Sequence, residues 1–98
     1  MRIVYSPRAI RDLDTIAAYY RTVADSKIAS AIAERIEYVV NRLGRHPHSA
    51  PRVVSRTDVR VALVLRYPYK IFYRVRADVV EILHIRHTAR RPWSESPS

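Results

Sequence analysis

The sequence predicts an α+β domain, an antiparallel sheet of about four strands with one face packed on a two-helix hairpin, in the order β-α-α-β-β-β. Three observations predict it. Two neighbouring segments repeat apolar residues at every third and fourth position, and three later segments are rich in β-formers, two of them alternating from face to face. A chain of 98 residues that is 48% apolar has material for one core and no room for a second.

The elements follow in order. Ile3, Val4 and Tyr5 open a short strand, and Ser6-Pro7 supplies an N-cap residue and a proline suited to the first helical position. From Pro7 to about Thr22, Ile10, Leu13, Ile16, Ala17 and Tyr20 form one stripe, while Arg11, Asp12, Asp14 and Arg21 fall elsewhere on the wheel. Asp25 or Ser26 caps a second helix whose stripe is Ile28, Ile32, Ile36, Val39, Val40 and Leu43, and Gly44 is a natural C′ residue. With only Val23 to Asp25 between them, the helices must run antiparallel, side by side.

Arg45 to Asp58, with Pro47 and Pro51, reads as a connecting loop with a short extended piece at Val53-Val54. Strands follow. Arg60 to Arg66 is largely β-branched or aliphatic, Tyr67-Pro68 breaks it, and Tyr69 to Val75 sets Tyr69, Ile71, Tyr73 and Val75 against Lys70, Phe72 and Arg74. Ala77-Asp78 turns the chain, and Val79 to Arg86 alternates Val80, Ile82, His84 with Glu81, Leu83, Ile85. Residues 1–93 are expected to form one domain and 94–98 a short flexible C-terminal tail.

Composition narrows the function. The net charge is +9, and residues 45–98 carry eleven basic and four acidic side chains against seven and five in residues 1–44. That asymmetry points to an anionic partner: nucleic acid, an acidic protein segment or a nucleoprotein machine. Sixteen of the eighteen basic residues are arginine, which GC-rich coding also produces, so the excess does not by itself name the partner. The basic residues Arg60, Arg66, Lys70, Arg74, Arg76, Arg86, Arg90 and Arg91 interleave with Tyr67, Tyr69, Tyr73 and Trp93, a mixture able to hold a phosphate backbone or stack on bases. Tyrosine and arginine are equally ordinary neighbours on a sheet face.

With no cysteine there is neither a disulfide framework nor a thiolate metal site, and a reducing cytoplasm is the expected compartment. No apolar run approaches membrane-spanning length. His46 and His48 sit two apart in a proline-containing loop with nothing to complete a metal set, and the lone glycine cannot make a phosphate loop, so no metal and no cofactor are expected. His84 reads as a partly buried strand residue. His87, just past the strand end among arginines, either touches an anion, shuttles a proton or simply faces water.

The segments Arg60-Val61-Ala62-Leu63-Val64, Tyr67-Pro68-Tyr69-Lys70-Ile71-Phe72-Tyr73-Arg74-Val75 and Val80-Glu81-Ile82-Leu83-His84-Ile85-Arg86-His87, with Tyr5-Ser6-Pro7-Arg8-Ala9 and Asp12-Leu13, resemble the ParE/RelE toxin superfamily. The resemblance covers residues 1 to about 93. It implies a cognate antitoxin that forms a hetero-oligomer with the toxin, wrapping an extended or helical segment over the apolar surface at Leu13, Tyr20, Val64 and Tyr73. RelE-like members cut messenger RNA on the ribosome, which needs proton transfer and cations around the phosphorane. Of that branch's basic positions only Lys70 matches. Ala62 and Val64 occupy the strand, Thr88 replaces an arginine, and Trp93-Ser94 stands where a tyrosine would be. The ParE branch fits better and implies inhibition of DNA gyrase by binding, without catalysis, through Arg86, His87, Arg90, Arg91 and Trp93. The alternative is a ribosome-dependent endoribonuclease built from Lys70, Arg86, His87 and Arg90.

Overall fold

The computed structural model describes residues 1–88. Its elements are β1 (Arg2–Tyr5), α1 (Pro7–Val23), α2 (Ser26–Arg45), β2 (Arg60–Val64), β3 (Tyr69–Arg76) and β4 (Val79–His87). Arg90, Arg91 and Trp93, expected to meet the target, and the tail 94–98 lie outside the described residues.

Both helices start where their capping chemistry dictates. Ser6 Oγ accepts the Ala9 N–H at 3.0 Å and donates to Leu83 O at 2.8 Å, so one hydroxyl caps α1 and ties it to β4. Asp25, not Ser26, caps α2, through Oδ1 on the Ile28 N–H at 3.0 Å. The expected C′ role of Gly44 does not hold: α2 continues through Arg45, and Gly44 has no positive φ. A Cβ at Gly44 would lie 3.1 Å from Ile3 Cδ1 and 3.3 Å from Met1 O, so the glycine allows close approach. The terminal ammonium of Met1 uses that approach to donate to Gly44 O at 3.0 Å.

The sheet order is β1-β4-β3-β2. The β2-β3-β4 meander is antiparallel as expected, but β1 runs parallel to β4, so the sheet is mixed and not wholly antiparallel. The reason is topological. No hairpin turn ties β1 to a neighbour, and the helix pair with its following loop carries the chain across the sheet to start β2 in the direction of β1.

Ile32, Ile36, Val40 and Leu43 of α2, with Ile16 of α1, bury against Ile71, Tyr73, Val80, Ile82 and Ile85. A second cluster occupies the other sheet face, where Val59 and Phe72 are buried beneath Val53, Val61 and Leu83. Phe72 shares its face with Lys70 and Arg74, as expected, but is buried there while its neighbours are half-exposed, because Val53 and Val59 pack against it. The extended piece foreseen at Val53-Val54 is an Arg52–Arg60 bridge with Val53 N–H donating to Val59 O at 2.8 Å; Val54 itself is fully exposed.

One irregularity reorganises β4. Tyr73 pairs with Ile82 but Phe72 pairs with His84, leaving Leu83 as an extra residue in a bulge. Beyond it the alternation shifts by one. His84 turns to the Phe72 side, their rings stacked with centroids 6.2 Å apart, and Ile85 enters the helix-side core. The expected grouping of Val80, Ile82 and His84 on one face is thereby broken.

The β3–β4 turn offers a local test. Ala77 has φ 52° whereas Asp78 stays negative, the pattern of a type II′ turn that favours glycine at its first central position. Left-handed backbone costs a non-glycine residue about 1–2 kcal/mol, partly offset by the freedom glycine adds to the unfolded chain. Ala77→Gly should therefore raise unfolding stability by about 0.5–1 kcal/mol. A urea midpoint that falls would show the turn to be unstrained.

Candidate functional site

Two clefts on the surface of the described residues bear on the site. The larger is a groove of about 830 Å³ where α2, the loop around Pro51 and β2 meet. It forms because β2 is the last strand of the sheet and short, so beyond the Arg52–Arg60 bridge α2 overhangs an edge that no further strand covers among the described residues. Val61 N–H, pointing away from β3, donates to Pro51 O at 3.0 Å. Two residues on, Leu63 N–H points the same way and has no partner among the described residues. Leu63 and Leu65 are 60% and 63% exposed, and Tyr38 on α2 is 49% exposed. The groove's cations are Arg35, Arg42 and Lys70, and its lining includes no acidic side chain.

The smaller feature, about 260 Å³, lies along α1 where β4 runs past the end of β1, lined by Asp12, Tyr19, Tyr69, His84, Arg86 and His87 among others. Asp12 closes the strand edge here. Its Oδ2 lies 2.6 Å from His84 Nδ1 and accepts the Ile85 N–H at 2.9 Å. His84 is thus a buried structural histidine, 6% exposed, in keeping with its reading as a strand residue.

The basic residues of the second half divide by role. Arg60 donates through one nitrogen to His48 O at 3.2 Å and Ala50 O at 2.6 Å, pinning the loop, and Arg74 pairs with Glu81 at 2.7 Å. Lys70 and Arg86 are direct cross-strand partners. His87, opposite Tyr69 in the register, lies on the other face, its ring 5.5 Å from that of Tyr69. The bulge causes this separation: without the extra residue Lys70 would face Ile85, and Arg86 would take the place of His87 opposite Tyr69. Lys70 lines the larger groove while Arg86 and His87 line the smaller cleft.

The residues expected to meet an antitoxin are also divided. Leu13 and Tyr20 are half-buried on α1, and Tyr20 is reached by the Tyr69 hydroxyl at 3.3 Å. Val64 is 3% exposed and Tyr73 0%, so in this conformation neither side chain offers a surface. The Tyr73 hydroxyl donates to Pro47 O at 2.8 Å. Burial raises the pKa of this phenol above its ordinary value, opposed by the Ala50 backbone and the charge of Arg60. Arg35, Tyr38, Leu63 and Leu65 were not singled out as site residues in the sequence. Tyr38, an aromatic off the α2 apolar stripe, was the one available signal.

Among the described residues no group of three or more side chains is arranged to hold a metal ion, and no helix is long and apolar enough to cross a membrane. Fold and surface together define a small basic α+β domain whose β2 edge is uncovered beside the groove among the described residues. The family of ParE toxins of type II toxin-antitoxin systems, parDE, matches residues 3–92, and the chain belongs to that family. Its structure is similar to one from the chromosomal ParDE toxin-antitoxin system from P. aeruginosa, at 25% identity and a TM-score of 0.79, covering 89% of this chain and 95% of that one. It is also similar in fold to a chain of the toxin-antitoxin complex RelBE2 from Mycobacterium tuberculosis, at 22% identity and a TM-score of 0.60, covering 91% and 92%. No curated protein matches the sequence.

Proposed function

We propose that this ParE-family toxin arrests growth by docking on DNA gyrase, without cutting a phosphodiester bond, and that an antitoxin silences it by covering the groove between α2 and β2. The gyrase target comes from the family resemblance. The observation that carries the non-catalytic part is the division of the would-be ribonuclease set. Lys70 lines the larger groove while Arg86 and His87 line the smaller cleft, so Lys70 does not join that cation and proton carrier around one phosphate-sized hollow. The free edge at Leu63 and the exposed leucines beside it support a covering partner, since an apolar strand edge left open invites pairing.

The deciding experiment sets purified protein against gyrase supercoiling of plasmid DNA and, separately, against ribosome-bound messenger. Inhibited supercoiling with intact messenger supports docking; shortened messenger with normal supercoiling supports cleavage. The adjacency of Lys70 and Arg86 is the feature that favours the cleavage alternative, and it gives a second handle. One peripheral charge in a docking surface contributes about 0–1 kcal/mol, whereas a preorganised cation at a reacting phosphate contributes about 3–4 kcal/mol. Lys70→Gln should therefore shift the dose for half-maximal growth arrest by less than about fivefold. A loss of a hundredfold or more would return Lys70 to a catalytic role.

A further inference from the structure

We infer that Arg35 selects the segment that covers the groove: the occupant is an extended acidic strand lying along β2, and one of its carboxylates closes on the Arg35 guanidinium. The inference deepens the proposed reading, because it is that reading which requires a covering partner.

Three observations define the occupant. The first is charge. Arg35, Arg42 and Lys70 line the groove with no acid among its residues, and none of the three has an ion-pair partner among the described residues. Arg35 and Arg42, seven residues apart, sit two turns apart on the same side of α2, about 10 Å along the helix. A second copy of this chain would bring another strongly basic surface against them, so an acidic partner fits and self-pairing does not.

The second is an unfilled donor. Arg35 Nε is buried with no hydrogen-bond partner, while the guanidinium sits over the Tyr38 ring, 5.0 Å from its centroid. That cation–π contact restrains the guanidinium before any partner arrives, which suits bidentate capture of a carboxylate, and a lysine has no such fork. A buried N–H left empty is rare enough to need a reason, and an incoming acceptor provides one.

The third is the free backbone edge. Leu63 offers an N–H that another strand can pair with, and the apolar surfaces of Val39, Leu43 and Val61 line the same groove. An extended segment added here sends alternate side chains toward α2 and away from it. Apolar residues then provide area, and an acid facing Arg35 provides discrimination.

The test uses two short synthetic peptides, one alternating leucine or valine with glutamate, the other with each glutamate replaced by glutamine, titrated by fluorescence anisotropy against the full chain. The acidic peptide should bind about tenfold more tightly than its amide twin, the increment of one charge-assisted contact. Arg35→Gln should remove that preference, bringing the two peptides to within about twofold of each other, Arg35→Lys should keep only part of it, and Leu63→Pro should weaken both peptides alike. Equal binding of the two peptides to the wild type, binding of neither, or a preference that survives Arg35→Gln overturns the inference. Growth arrest on expressing the chain alone is measured in parallel. Its absence would sink the toxin reading without touching the peptide result, and a lost acid preference would sink the inference without touching the toxin reading.

Discussion

Tyr73→Ala should destabilise the fold by about 3–5 kcal/mol, against about 1 kcal/mol for Tyr73→Phe. Tyr73 is completely buried in β3, the central strand beside both β2 and β4, and is the largest side chain to be so enclosed. Truncation to alanine leaves a cavity inside the core between the helices and the sheet, and such cores relax only partly into the space. Phenylalanine keeps the ring and removes only the hydroxyl, which donates to Pro47 O just after α2. The gap between the two variants therefore separates packing from loop tethering. A domain of this size has about 5–15 kcal/mol in total, so the alanine variant should lose a large share of its folded population. Urea unfolding followed by far-ultraviolet circular dichroism provides the measurement. The comparison also bears on the sequence-based expectation that Tyr73 meets the antitoxin. If Tyr73→Phe weakened partner binding with unchanged unfolding, the residue would be a contact; an equilibrium loss with unchanged binding would make it the core residue its burial describes.

The parts of this fold that the sequence made legible are those decided locally. Ser6 and Asp25 cap helices because a short oxygen-bearing side chain at a helix start satisfies N–H groups three residues on, whatever lies elsewhere. The β3–β4 hairpin was equally legible from Ala77-Asp78. What escaped were non-local choices. The parallel pairing of β1 with β4 depends on how the helix pair returns the chain, and no residue in Arg2–Tyr5 encodes its neighbour. The bulge falls in Ile82-Leu83-His84-Ile85, where one extra apolar residue leaves no polar marker of the phase change. Its consequence reaches the site, since it sets Lys70 opposite Arg86 and sends His87 to the other face. The groove was hidden for a related reason. Leu63 reads the same as Val61 or Val64 in an aliphatic run, and only the sheet order reveals that its edge is open.

Asp12→Ala should cost about 2–4 kcal/mol although Asp12 lies outside the apolar core. The two sheet edges are handled differently. At β2 the edge beside the groove is open among the described residues. At β4, once β1 ends at Tyr5, Asp12 takes the position a neighbouring strand would occupy, and one carboxylate oxygen serves both the Ile85 N–H and the His84 ring. Removing it strands the Ile85 N–H and takes the carboxylate from Nδ1 of a histidine whose side chain is 8% exposed, and each buried hydrogen bond lost in this way costs about 1–3 kcal/mol. Asparagine keeps one acceptor of the same shape, so Asp12→Asn should lose about half as much. A double-mutant cycle with His84→Phe isolates the pair: coupling of about 1 kcal/mol or more is expected, and coupling near zero would mean that Asp12 acts through the strand N–H alone. Because α1 is anchored to β4 at Ser6 and Asp12, the alanine variant should also raise hydrogen exchange at Ile85 before it does so at the β3 core. Equal protection in wild type and variant would show that the helix holds its place without the carboxylate.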